Sequence, residues 1–224
     1  MHPDFLRRGF LARFLTLTGL GVALVVGQDR VWGATDEAER VGVSVLVAYD
    51  SLSGQTRSLA TAVAEGAQAV GGATVLLKPV AEVTAEDLQR AQGIILGCPT
   101  YYGTIPGRMK SVIDDWSWKM RVDFTDKAGG AFATGGGGTG GKEFVVVSLL
   151  MFMINNRMVV AGPLYRNERT GSVWAEAGAT ATTGSTDPGI SEVELDGARR
   201  LGERVARLAR KLHQGGTGET SETP

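Results

Sequence analysis

A near-continuous apolar run, Val41-Gly42-Val43-Ser44-Val45-Leu46-Val47, empties into a short polar loop, and a helical pattern begins at once behind it. A run that is apolar at both alternating positions reads as a strand covered on both faces, the habit of parallel sheets. The joint itself, Ala48-Tyr49-Asp50-Ser51-Leu52-Ser53-Gly54-Gln55-Thr56, sets hydroxyls and one glycine at a helix N-terminus. The first N–H groups of a helix have no internal partners, and its macrodipole concentrates positive charge there, so such a joint accepts an anion. It holds no lysine, which excludes a nucleotide-triphosphate loop, and it lacks the three glycines of a dinucleotide fingerprint. What fits is a single terminal phosphate held by neutral donors: Ser51, Ser53 and Thr56 through their hydroxyls, with Gly54 admitting backbone to the ligand. The same residue types also cap helices and form turns, so the loop alone does not decide between the two readings.

Strand and helix patterns then alternate along the chain. Strands are expected at about Val41–Tyr49, Ala73–Val80, Gly93–Gly97, Lys127–Ala133 and, opening at Met158, to Ala161. Helices are expected to about Val70, over Ala85–Ala91 behind a Thr84 cap, over Pro106–Lys119, over Gly141–Ile154, and over Ser191–Leu212. Five strands alternating with five helices predict an α/β fold with one doubly wound parallel sheet. A long irregular insert, Gly162 to Gly189, lies in or beside the fifth strand, and loops of that length inside a compact domain are commonly functional.

The ends of the chain read differently from its middle. Arg7-Arg8-Gly9-Phe10-Leu11, the apolar stretch Phe14 to Gly27 and the small residues near Gly33-Ala34 have the layout of a secretory signal, and the arginine pair resembles the twin-arginine type. At about 14 residues the apolar stretch falls short of a bilayer span. The expected organisation is a signal over 1–34, one domain over 41–213 and a disordered tail over 214–224. The signal implies use of the twin-arginine export machinery and a periplasmic or other extracytoplasmic location, with tethering by an uncleaved N-terminus as the alternative. A net charge of -1 over 224 residues, with no basic patch, gives no support to nucleic-acid binding. The single cysteine, Cys98, ends an apolar strand and is expected to be packed rather than reactive. Of the two histidines, His2 lies in the signal and His213 beside the tail, so no metal site is expected.

In an open α/β sheet, ligands bind beyond the carboxyl ends of the strands. Three loops finish there: Asp50 to Thr56, Cys98-Pro99-Thr100-Tyr101-Tyr102-Gly103-Thr104-Ile105-Pro106-Gly107, and Thr134-Gly135-Gly136-Gly137-Gly138-Thr139-Gly140-Gly141. Adjacent aromatics can cover a planar ring, and a glycine run lets backbone N–H groups approach it. Together with a phosphate site these features fit flavin mononucleotide (FMN), whose reduced ring carries negative charge that oriented N–H groups stabilise.

The order Ser51-x-x-Gly54, then Gly97-x-Pro99-Thr100-Tyr101-Tyr102-Gly103 with Gly107-x-Met109-Lys110, then Phe132-x-Thr134-Gly135 with Thr139-Gly140-Gly141-x-Glu143, resembles the flavodoxin-like NAD(P)H:quinone oxidoreductases of the WrbA type. Gly178-Ala179-Thr180 adds a further match, and the similarity covers about Val43 to Leu212. The resemblance implies a five-stranded flavodoxin-like sheet of order 2-1-3-4-5. It implies that Ser51, Leu52, Ser53, Gly54, Gln55 and Thr56 surround the FMN phosphate. Pro99, Thr100, Tyr101, Tyr102 and Gly103 would lie along the isoalloxazine ring. Thr134, Gly135, Gly136, Gly137, Gly138, Thr139 and Gly140 would cover its pyrimidine side. Asn156 stands where the family has a histidine near the flavin, Ser53 stands where it often has an aromatic that meets the nicotinamide nucleotide, and Trp116 and Trp118 lie close to, but out of register with, its active-site tryptophan. The implied activity passes electrons from NADH or NADPH, or another donor, to a quinone-like acceptor, in a homo-oligomer (dimer or tetramer), with Tyr102 as the polar side chain nearest the acceptor. The alternative is an exported flavodoxin-like electron carrier with no nicotinamide activity.

Overall fold

The computed structural model describes residues 42–164, 176–184 and 189–215. The signal expected over 1–34, residues 165–175 and 185–188 of the insert, and the tail from 216 onward lie outside the described residues.

The elements follow in the order β1 (Val43–Tyr49), α1 (Gln55–Gln68), β2 (Ala73–Pro79), a 3-10 turn (Val80–Glu82), α2 (Ala85–Arg90), β3 (Gly93–Pro99), α3 (Gly107–Trp118), β4 (Ala128–Gly135), α4 (Lys142–Asn155), β5 (Val159–Val160), β6 (Ala179–Thr182) and α5 (Glu192–Gly215). All ladders are parallel, in the order β2-β1-β3-β4-β5, with β6 also pairing β4. The strand order is the expected 2-1-3-4-5.

Alternation along the strands divides the core between the two faces of the sheet. Val45, Val47, Ile95 and Phe132 pack with Leu59 and Val63 of α1 and Leu201 and Val205 of α5. Leu46, Ala48, Ile94, Leu96 and Ala131 pack with Leu88, Met109, Ile113, Val145 and Leu149 of the other three helices. Parallel strands covered on both faces are apolar at successive residues, which is why β1 and β3 were legible as continuous runs. On the first face α1 and α5 cross without side chains between them: a Cβ on Gly66 would overlap the Arg199 carbonyl, and one on Gly202 the Val63 carbonyl. At the head of α2, Thr84 and Asp87 form a reciprocal capping box, and Lys78 Nζ donates to the same Asp87 carboxylate at 2.8 Å.

Three boundaries differ from the sequence reading. The fifth position is shared: β5 pairs with Ala128 and Gly129, and β6 pairs with Phe132 to Gly135 farther along β4. The insert therefore interrupts the fifth strand and returns to the sheet within its own length. The β6 sequence, Ala-Thr-Ala-Thr, carries no large apolar residue to signal this. β3 and β4 also run on to Pro99 and Gly135, because the ladder continues through Pro99 and Thr134 after the apolar pattern stops. Finally, α5 extends through Gly215, so residues 214 and 215 of the expected tail are helical, and the helix ends at a glycine.

Candidate functional site

The loops after β1, β3 and β4 meet at the carboxyl edge of the sheet. At the first, Gly54 caps α1 with φ 91°, a left-handed conformation open to glycine. Ser51 Oγ accepts from the N–H groups of Gly54 at 3.2 Å and Arg57 at 3.3 Å. The N–H groups of Gln55 and Thr56 have no acceptor among the described residues, as expected of a first helical turn. Leu52 and Ser53 are exposed, whereas Thr56 is buried with its hydroxyl 2.8 Å from that of Thr134. That contact ties the first loop to the end of β4.

At the second loop, Thr100 N–H donates to Thr134 O at 2.7 Å, yet the Thr100 hydroxyl is buried with no hydrogen-bond partner. Tyr101 and Thr104 exchange backbone bonds of 3.0 and 3.1 Å across a two-residue turn, with φ 51° at Tyr102 and 80° at Gly103. Positive φ at both central residues defines a type I′ turn, which favours asparagine and glycine. A tyrosine there is strained, and strain of this kind collects at functional sites. The turn holds the Tyr102 ring fully in solvent at its tip.

Two residues outside the sequence-derived set complete this edge. Arg108, in the first turn of α3, grips Asp50 side-on, Nε to Oδ1 at 3.1 Å and Nη2 to Oδ2 at 2.8 Å. Its guanidinium carbon lies 5.6 Å from the centroid of the Tyr101 ring. The Asp50 carboxylate, then the Tyr101 hydroxyl, holds the guanidinium pKa above its usual value. The pair joins the ends of β1 and β3. Its sequence signals were an acidic residue ending a buried strand and a cation at a helix start, where the dipole disfavours it. Cys98 lies nearby, fully buried, its pKa pushed up to about 12 by burial and then by the Asp50 charge. It is packing, as expected.

The glycine loop closes the other side. Gly141 caps α4 with φ 90°, and a Cβ there would sit 2.8 Å from Gly103 Cα, so the second and third loops are in contact. At Gly54, Gly103, Gly136, Gly137 and Gly138 an added Cβ would meet nothing within 4 Å. Backbone at these positions borders open space. Lys142, the first residue of α4, is buried beneath the loop and donates to Gly137 O at 2.9 Å and Thr182 Oγ1 at 2.7 Å. β6 supplies a fourth segment: Thr183 N–H donates to Gly135 O at 2.8 Å, and Gly184 stands beside the Gly136 carbonyl.

The structure thus brings Ser51 to Thr56, Pro99 to Gly103 and Thr134 to Gly140 to one edge. Asn156 is not among them. It caps the far end of α4, donating to Phe152 O at 2.8 Å and accepting from Ser117 Oγ at 3.1 Å. Fourteen helical residues, about 20 Å, separate that end from the glycine loop. The path of the chain from a site-proximal α4 start to the opposite end of β5 is the reason. For the same reason neither tryptophan of α3 reaches the edge: Trp116 is in the core, and Trp118 is exposed at the far terminus.

Residues 42–169 match the family model of NADPH-dependent FMN reductases. A protein named flavodoxin in Aquifex aeolicus is 35% identical over 162 residues, spanning 72% of this chain and 84% of that protein. An NAD(P)H dehydrogenase (quinone) of Sinorhizobium fredii is 33% identical over 197 residues, spanning 75% and 98% respectively. The fold agrees with the crystal structure of a WrbA-like flavodoxin from Agrobacterium tumefaciens, with TM-score 0.57, 24% identity and coverage of 76% of this chain and 99% of that one. On the strength of the family match and of these relatives, the chain belongs to the NADPH-dependent FMN reductase family and is an FMN-dependent oxidoreductase.

Proposed function

We propose that this protein passes electrons from NADH or NADPH to a quinone-like acceptor, using FMN held on the carboxyl edge of its sheet. The observation that carries this reading is the buried, unpartnered Thr100 hydroxyl between a set of unspent N–H donors and a tract of open glycine backbone. Buried polar groups are nearly always hydrogen-bonded, and an unpartnered one bordering open backbone is a place where a ligand atom can supply the bond. The donor set fits FMN in polarity. The N–H groups of Gln55 and Thr56, with the Ser53 hydroxyl, would hold the phosphate at the head of α1. Thr100 and Tyr101 would line the ring, and Gly136 to Gly138 would present backbone to its pyrimidine side.

When bound, FMN supplies reversible two-electron chemistry, so the protein's part is positioning and electrostatics. The Asp50–Arg108 pair fixes the spacing of the first two loops and orients Tyr101. Tyr102, projected by its strained turn, would cover the face on which donor and acceptor alternate. No histidine stands among these loops.

The homologue names support the quinone acceptor and the nicotinamide donor. A second reading, electron carriage without nicotinamide, draws on the exposed Ser53 and on the relative named flavodoxin. A homo-oligomer is supported by α4, whose Phe144, Val147, Met151 and Ile154 are exposed at helical spacing along one face. Asn156 could reach a flavin only from another copy. The arginine pair and apolar stretch of the N-terminus support export by the twin-arginine route, which carries folded, cofactor-loaded proteins.

The test is anaerobic: the FMN-loaded protein is mixed with NADH or NADPH, and a soluble quinone is then added. Loss of the flavin's visible absorbance, restored by the quinone, is expected. Reduction by dithionite but by neither nucleotide would replace this reading with electron carriage.

A further inference from the structure

Among the described residues Lys142 is the only buried cation, 4% exposed, and it forms no ion pair there. Both of its acceptors, the Gly137 carbonyl and the Thr182 hydroxyl, are neutral, and the third ammonium hydrogen is unspent. It opens α4, where the helix dipole repels a positive charge. Glu194 is the carboxylate next along this bonding scheme, and it accepts from Thr182 N–H, Ser191 N–H and the Ser191 hydroxyl rather than from Lys142. A buried charge persists where something compensates it.

Its place in the site indicates what that is. The lysine stem runs past Gly135, where an added Cβ would lie 2.8 Å from Lys142 Cγ and 3.4 Å from Thr100 Cβ. The stem and the Thr100 side chain thus flank Gly135, and the ammonium lies beyond them, held between the glycine loop at Gly137 and β6 at Thr182. The head of α1, which follows β1, lies across β4 from β6. One end of the site offers neutral N–H donors, and the other offers a full charge.

Resting on the FMN reading above, we propose that Lys142 is the countercharge for the pyrimidine end of FMN in its reduced, anionic form. The lysine makes the site bind reduced FMN in preference to oxidised FMN, which favours accepting a hydride equivalent from a nicotinamide. It is a binding residue with a redox consequence, distinct from the phosphate donors at α1.

The experiment uses the full chain as wild type, Lys142→Gln and Lys142→Arg. Binding of oxidised FMN is followed by quenching of flavin fluorescence. The midpoint potential of bound against free FMN, equilibrated anaerobically with reference dyes, then gives the affinity for the reduced form. Wild type is expected to hold reduced FMN at least as tightly as oxidised, so its midpoint lies at or above that of free FMN. Lys142→Gln is expected to lose about tenfold more affinity for the reduced than for the oxidised form, equivalent to about 30 mV for a two-electron couple. Lys142→Arg, which keeps the charge, is expected to stay within about threefold of wild type. Equal weakening of both forms by Lys142→Gln would make the lysine a strut between the glycine loop and β6 and overturn the proposal. A wild-type midpoint below that of free FMN would overturn it without any variant. Failure of wild type to bind FMN would instead refute the underlying FMN reading.

Discussion

Replacing Thr100 by valine removes one hydroxyl, keeps the shape of the side chain, and separates the two states of the site. In the FMN-free protein the Thr100 hydroxyl is buried with no partner, a situation that costs about 1–3 kcal/mol. Valine removes that cost and leaves the bond from Thr100 N–H to Thr134 O in place, since it involves only backbone. Thr100→Val should therefore be neutral to about 1–2 kcal/mol more stable than wild type when free of flavin. With FMN bound the hydroxyl gains a partner, and its loss should cost about 1 kcal/mol of binding, roughly a five- to tenfold rise in Kd. The two effects have opposite signs, and no general weakening of the fold produces that pattern. Urea unfolding of FMN-free protein measures the first, and fluorescence titration with FMN measures the second. A variant that is less stable without FMN yet binds it with unchanged affinity would show that Thr100 Oγ1 is a structural group and not a ligand-binding one.

Three further outcomes follow from the same geometry. Arg108→Met strands a carboxylate that is 9% exposed, and, discounted for the 44% exposure of Arg108, should cost about 1–2 kcal/mol. Asp50→Asn with Arg108→Met should recover part of that loss, and additive single effects in a double-mutant cycle would deny the coupling. Tyr102→Asn relieves a left-handed tyrosine and should raise thermal stability by about 0.5–1 kcal/mol while raising KM for the quinone. An unchanged KM would remove Tyr102 from the acceptor face. Asp87 is held below its ordinary 3.8, first by the Lys78 ammonium and then by the Thr84 N–H. Its contribution is thus complete above about pH 4 and lost as pH falls through the lowered value in the folded protein, so Asp87→Asn should flatten the acid limb of stability. Identical acid limbs for the two proteins would contradict this.

The sheet and the three loops were legible because each left a local signature. β1 and β3 are covered on both faces and so are apolar at nearly every position, and the loops depart sharply from average composition. β6 left none. Its alternating alanines and threonines extend an existing ladder by backbone pairing, and only that pairing brings Thr182, Thr183 and Gly184 to the glycine loop. The Asp50–Arg108 pair spans 58 residues, and each partner's local signal says nothing of the other. Lys142 was visible only as a residue following a glycine run, and its burial depends on Gly135 leaving room for its stem. Asn156 was placed at the site by resemblance alone, and the direction of α4 moves it to the opposite end.

The most direct measurement is a titration of the purified full chain with FMN, repeated with riboflavin, which shares the ring and lacks the phosphate. Saturable one-to-one quenching by FMN, with riboflavin bound at least about tenfold more weakly, is the result expected of a ring site combined with a phosphate site at the head of α1. Equal affinity for the two flavins would remove the phosphate site, and no saturable quenching by either would contradict the account as a whole.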